Sequence, residues 1–376
     1  MISETRFRIK LYELPFLLVL AVIVMVSAWR CFYYPPSPRD LTSGAEVIAE
    51  YTVKEKTMVN SVFTVNLETT NNQFKPPFIT SLQVIYKYAG FPFGQIWLST
   101  LFICFLIFLY HALCLKIHRI LAGMLMLIFL AIPEMYAYTF MALFDYSNAV
   151  FFFLGTYFMI TYFKSNKRND LAMAGLLMGF ATYIRSETLI LVGILTLAIL
   201  WRHIKKWESL ASLLSTGLYF LLPAVIFYVL SITVHVNYYL PQKYDVEGLV
   251  NQHLLDLTPI WERLKAMNKE LIFSEHGIQL YAYSFFIFLL VLLCDLIFSV
   301  KLNPGSRNWL FAVLVIYCGL PVLGYLLPLL DIANSTKRGL FKIFPLMIMY
   351  MGSSSLLIRV TQKNKRLGNE IGIIDL

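Results

Sequence analysis

The sequence predicts an all-α, polytopic membrane protein of about ten transmembrane helices, forming one integral-membrane domain over residues 1–376. Three observations lead there. Hydrophobic residues make up 59% of the chain and charged residues 14%, against roughly a quarter charged in soluble domains. The apolar residues fall in long unbroken runs, not in the short alternating segments of a barrel. Only helices or closed barrels satisfy their backbone groups in hydrocarbon, so helices are expected. Finally, basic residues gather in every second connection between the runs.

The runs are Leu14–Phe32, Gln95–Leu115, Ile120–Tyr138, Asn148–Phe163, Leu171–Ile184, Thr188–Trp201, Leu210–Val236, Leu280–Val300, Trp309–Leu330 and Leu340–Ile358. One set of basic residues comprises Arg6/Arg8/Lys10, Lys116/Arg119, Lys164/Lys167/Arg168, Arg202/Lys205/Lys206, Lys301/Arg307 and Arg359/Lys363/Lys365/Arg366. The positive-inside rule assigns them all, with both termini, to the cytoplasm. The first run leads into Tyr33-Tyr34-Pro35-Pro36 and lacks a small-residue cleavage site, so it reads as a retained span. The expected location is a cell membrane such as the inner membrane of a bacterium.

Two long segments then fall outside, residues 33–94 and 237–279, with no soluble C-terminal domain expected. Pro76–Ala89 reads as an interfacial helix opened by Pro-Pro, and Pro259–Leu271 as a second amphipathic helix. The net charge of +9 is scattered between spans and forms no continuous basic face, which argues against nucleic acid as a partner. The five cysteines show neither metal-ligand spacing nor a disulfide pattern, and read as small packing residues.

No phosphate-cradling glycine loop, HExxH or nucleophile elbow is present. Acidic residues instead concentrate outside, at Asp40, Glu46, Glu50, Glu55, Glu68, Glu134, Asp145 and Glu187. A site built from them faces away from the cytoplasm, so an activated substrate must arrive on a lipid. Asp40 follows the prolines that stop the first helix, where spacing alone favours an ordinary loop aspartate over a general base. Asp145 lies in a polar break between apolar runs, as a functional carboxylate or as a helix N-cap. Arg185 and Glu187 flank a tight turn and can pair with each other. Lys75, Lys337 and Arg338 place positive charge on the outer side, to meet a lipid phosphate or to snorkel to headgroups. His235 and His276 fall outside with no ligand cluster around them. No cofactor is expected with certainty, and a divalent cation is left open.

Four stretches together resemble the large integral-membrane glycosyltransferases of the GT-C type, the relatives of protein O-mannosyltransferases and aminoarabinose transferases. They are RDLTSGAEVIAEY after the first span, FKPPFITSLQVIYKYAGFPFGQIWLS, FDYSNAVFFFLGTYFMITYF followed by NDLAMAGLLMGFATYIRSETLIL, and the late KRGLFKIFPLM. The likeness covers roughly Leu14–Leu200 and the last span. The family's loop Asp-Glu pair is Asp40-Leu41 here, and the proline that follows its second aspartate is absent after Asp145.

The resemblance implies a GT-C-like fold and an inverting transferase. Its sugar would come from a polyprenyl-phosphate donor and pass to a glycan, lipid or protein hydroxyl on the outer face. It implies Asp40 as the base, Asp145 as a second acid near the acceptor, Lys75 and Arg338 on the carrier phosphate, and Arg185 and Glu187 as the polar turn beneath. A glycolipid transporter or flippase is the competing reading, with an envelope-glycan polymerase of another fold as a third.

Overall fold

The computed structural model describes residues 11–33, 44–65, 75–91, 95–141, 143–205, 209–241, 256–273, 279–298, 302–327 and 332–370. Among these the regular structure is helical, without strands. The helices are α1 (Leu14–Tyr33), α2 (Glu46–Glu55), α3 (Ser61–Thr64), α4 (Phe78–Tyr88), α5 (Ile96–Cys114) and α6 (Arg119–Leu130). Then come α7 (Pro133–Ala137), α8 (Phe144–Ser165), α9 (Arg168–Ile184), α10 (Thr188–Lys205), α11 (Leu210–Tyr228) and α12 (Thr258–Ala266). The chain closes with α13 (Gln279–Phe298), α14 (Pro304–Leu326), α15 (Lys337–Gly339), α16 (Ile343–Gly352) and α17 (Ser355–Glu370).

Five helical stretches are long and apolar enough to cross a membrane: α1, α5, α10, Leu210–Tyr239 and α14. The pair Lys337–Gly352 and Ser355–Gln362, bent by 44°, makes a sixth if the two are counted as one span. The ten apolar runs are therefore not ten long apolar helices. Pro133 splits the third run into α6, of 12 residues, and the short α7, because a proline supplies no amide to the preceding turn. The 17-residue α9 reaches only about 26 Å at 1.5 Å per residue. The 22-residue α8 is long enough but carries Asp145, Ser147, Asn148 and Thr156, all buried.

Lipid replaces water around these helices. Leu18, Val22, Met25 and Trp29 form an exposed apolar stripe on α1, while Leu20, Ser27 and Cys31 face inward. Ser27 Oγ meets Thr139 Oγ1 at 2.8 Å. A close crossing joins α9 to α11. A Cβ on Gly175 would lie 2.4 Å from the Tyr219 carbonyl oxygen, and one on Gly179 would lie 2.6 Å from the Phe227 ring. The Gly-x-x-x-Gly spacing thus lets two backbones touch.

The two sets of charged residues separate to opposite ends of the bundle. At one end Arg119 pairs with the buried Glu13 at 2.7 Å. Lys116 donates to Ser353 Oγ at 2.6 Å and lies over Trp309. Asp295, fully buried, accepts from Tyr350 Oη at 3.1 Å, Ser354 Oγ at 2.9 Å and the Leu356 amide at 3.0 Å. It thereby caps the first turn of α17. The opposite end gathers Glu134, Asp145, Arg185, Glu187 and Lys337.

Helices form over both stretches expected to lie at the interface, as α4 and as α12. Beyond α12 the helix widens to i→i+5 bonding over Met267–Ile272, closed by the Phe273 amide on the Asn268 carbonyl at 2.9 Å. Residues Val229–Tyr239 widen in the same way.

Candidate active site

The site begins at the first turn of α8. Leu143 is extended and Phe144-Asp145 opens the helix, so the Asp145 carboxylate stands at a positive helix end. It does not cap the helix; no side chain does. Its partner is Arg185 Nη1. Arg185 terminates α9 in an extended conformation, placing its guanidinium at a negative helix end. Arg185 Nε also binds Glu187 Oε1 across the turn, as the sequence suggested. One guanidinium therefore ties two carboxylates that arrive from either side of it.

Asn148 fixes this turn from below. Its Nδ2 donates to the Ala181 carbonyl at 2.7 Å and to Thr188 Oγ1 at 3.0 Å, locking α8 to the end of α9 and the start of α10. The third support comes from the end of the chain. Arg338 Nη1 lies 3.8 Å from Asp145 Oδ2, and Lys337 Nζ binds Glu134 Oε1 at 2.5 Å. Tyr138 meets Phe341 edge-on at 4.7 Å beside that pair.

Two amines complete the cluster. Lys75, just before α4, holds its Nζ 5.0 Å from the centre of the Phe144 ring. Burial, and next the charge of Arg185, push its pKa down. Lys342 is 5% exposed and lies within the field of Arg185, Glu187 and Asp145. Among the described residues neither lysine makes a hydrogen bond or ion pair. Burial alone would raise the Glu187 carboxyl, but Arg185 and Lys75 outweigh it and hold that carboxyl below its ordinary range. Four cations (Lys75, Arg185, Arg338, Lys342) thus surround two carboxylates (Asp145, Glu187).

A small cavity opens against the cluster, lined by Arg185, Glu187, Thr188, Thr336 and Lys342 together with Leu191, Leu320 and Leu323. A second small cavity is lined by Lys75 and Phe144 with Ile48, Phe63, Thr80 and His235.

The structure thus brings together Asp145, Arg185, Glu187 and Arg338, with Lys75 at the edge of the group. Asp40 lies outside the described residues. Lys342 and Asn148 are the site residues that the sequence reading passed over. A lysine four positions past Arg338, inside an apolar run, was the available signal, since an ionisable group there is costly. Among the described residues no three of His, Cys, Asp and Glu stand close enough to hold a metal ion. No family model matches the chain, and neither does any curated protein or solved structure.

Proposed function

We propose that the chain is a membrane glycosyltransferase with a GT-C-like bundle of about ten spans and both termini in the cytoplasm. It moves a sugar from a polyprenyl phosphate to a hydroxyl on the outer face, with inversion. The observation that carries this reading is the charge imbalance of the buried cluster. Four basic side chains (Lys75, Arg185, Arg338 and Lys342) share two carboxylates, and neither lysine makes an ion pair among the described residues. Buried charge without a partner is costly, and a phosphate would complete the set.

In this mechanism the acceptor oxygen attacks the anomeric carbon while the bond from that carbon to the phosphate oxygen breaks. The phosphate leaves with the electron pair, and Lys342, Lys75 and Arg338 stabilise the charge that grows on it. The acceptor proton passes to Asp40. Asp145 positions Arg185 and Arg338 around the leaving group. Its carboxylate is already held by two guanidiniums, which makes it a poor base.

The test supplies reconstituted protein with each donor separately, its sugar radiolabelled. Transfer is expected from the polyprenyl-phosphate sugar and not from the matching nucleotide sugar. Transfer from the nucleotide sugar without lipid would overturn the mechanism, and failure with every lipid donor would favour the transporter reading. Lys342→Met should weaken donor use by roughly 1.5–3 kcal/mol, the worth of a hydrogen bond to a charged group. Asp40→Asn should slow transfer on the order of 10²–10⁴-fold with folding unchanged.

A further inference from the structure

The last helix leaves the bundle at a fixed bend. Lys337–Gly352 and Ser355–Gln362 meet at 44°. The fully buried Asp295 of α13 holds the break, accepting from Ser354 Oγ at 2.9 Å and from the Leu356 amide at 3.0 Å. Two further contacts set the course of α17. Arg359 Nη1 donates to the carbonyl of Phe298, the final residue of α13, at 3.3 Å. The His118 amide donates to Thr361 Oγ1 at 3.1 Å. Thr361 is buried by this docking, whereas Arg359, Val360 and Gln362 stay exposed.

The helix emerges at the edge of an apolar wall. Leu293, Leu296, Ile297 and Phe298, at the end of α13, are each more than half exposed. A contiguous apolar surface of that kind on a long apolar helix faces lipid. Arg359 binds the carbonyl at the foot of this wall, which sets the first turns of α17 at the depth where acyl chains give way to headgroups.

Composition supplies the charge. Ser355–Glu370 carries four basic residues, Arg359, Lys363, Lys365 and Arg366, against one acidic residue, Glu370. In the sequence Arg359, Lys363 and Arg366 recur at the spacing of one helix face, with Leu356, Val360 and Leu367 at the same spacing beside them. Two carboxylates of this end are already engaged inside the protein. Glu13 pairs with Arg119 at 2.7 Å, and Asp295 also accepts from Tyr350 Oη at 3.1 Å. Among the described residues Arg359 makes no ion pair.

We propose that α17 is a membrane-surface helix whose partner is the anionic phospholipid of the leaflet at this end of the bundle. Charge complementarity selects that partner, because four lysines and arginines on an amphipathic helix beside a span match the pattern that attracts anionic lipid. An interfacial helix also draws on apolar burial, which Val360 offers and a soluble polyanion would not use. The proposal is independent of the transferase reading.

The test places the full chain in nanodiscs of phosphatidylcholine, alone or with phosphatidylglycerol added, and follows amide hydrogen exchange over α17. Protection of residues 360–367 is expected to rise more than about tenfold with the anionic lipid, one lysine or arginine at such a surface being worth roughly fivefold. The rise should shrink in high salt. Lys363→Gln/Lys365→Gln/Arg366→Gln, which leaves the Arg359 contact in place, should abolish it, with exchange in phosphatidylcholine and the melting temperature unchanged. Lys167→Gln/Arg168→Gln removes two other exposed bases and should retain it. No rise with phosphatidylglycerol, or an equal rise in the triple variant, would overturn the proposal. Loss of the rise in Lys167→Gln/Arg168→Gln as well would overturn α17 as the seat of the interaction. An equal rise in phosphatidylcholine on adding a soluble oligonucleotide would replace the lipid with nucleic acid.

Discussion

Asp145 shows how much one buried carboxylate can organise. Its side chain is 2% exposed, against 10% for Arg185 and 23% for Arg338. Removing one partner of a buried pair costs about 3–5 kcal/mol because the other charge stays buried. Asp145→Asn should therefore lower the melting temperature of purified protein well below that of Arg338→Gln, whose contact is longer and wetter. Equal losses would mean that Arg338 shares the load. Lys116 gives a second residue-scale test, at the opposite end. Burial, and then the neighbouring Lys164, bring its pKa down to about 7, while an unfolded lysine titrates near about 10.4. Between these values the unfolded chain binds the additional proton, so stability rises with pH across that window. Melting temperatures at pH 7 and 9 should show the rise, and Lys116→Met should flatten it. The sequence displayed Asp145, Arg185 and Glu187 because charges interrupt apolar text. It concealed Asn148 and Thr188, ordinary polar residues that matter only once α8, α9 and α10 meet.

At the scale of elements, the crossing of α9 and α11 depends on the absence of side chains. Gly175→Ala drives a methyl against the Tyr219 and Phe220 carbonyls, which cannot move without the helix. Overpacking of this kind costs about 1–3 kcal/mol. Gly193→Ala in α10 meets nothing within 4 Å and should leave stability unchanged or slightly raised, since alanine favours helix. Thermal unfolding of the two variants side by side tests the contrast. The helices α4 and α12 were legible from prolines at their starts and from their amphipathic spacing. The break at Pro133 was also written in the sequence, but hydropathy alone runs straight across it. The widened helices were not legible, because an i→i+5 register arises from what the helix packs against and leaves no compositional trace.

For the whole molecule, the charge distribution gathers toward the two ends of the bundle, each holding acidic as well as basic residues. It arises because an uncompensated charge cannot rest in the apolar middle. The division does not say which end faces the cytoplasm; the positive-inside rule, applied to the lysines and arginines around Arg119, predicts that theirs does. With the native cysteines replaced, Thr57→Cys should react with an impermeant maleimide on intact cells, and Lys167→Cys only after permeabilisation. Both positions are exposed, so silence at either cannot be blamed on burial. The reverse pattern would invert the topology and remove the outer-face mechanism with it.

The cluster around Asp145 also bears on biogenesis. Its charges come from positions 75, 145, 185, 187, 338 and 342, so ribosomal synthesis delivers them in three instalments. The Asp145–Arg185–Glu187 knot can close as soon as α8, α9 and α10 are inserted. Arg338 and Lys342 join only when the last membrane segment arrives. An unfinished chain would carry Asp145 without its second guanidinium, and the cavity beside it would lack the wall formed by Thr336, Gly339 and Lys342. The charged cluster is therefore complete only once the segment around Arg338 and Lys342 has been inserted.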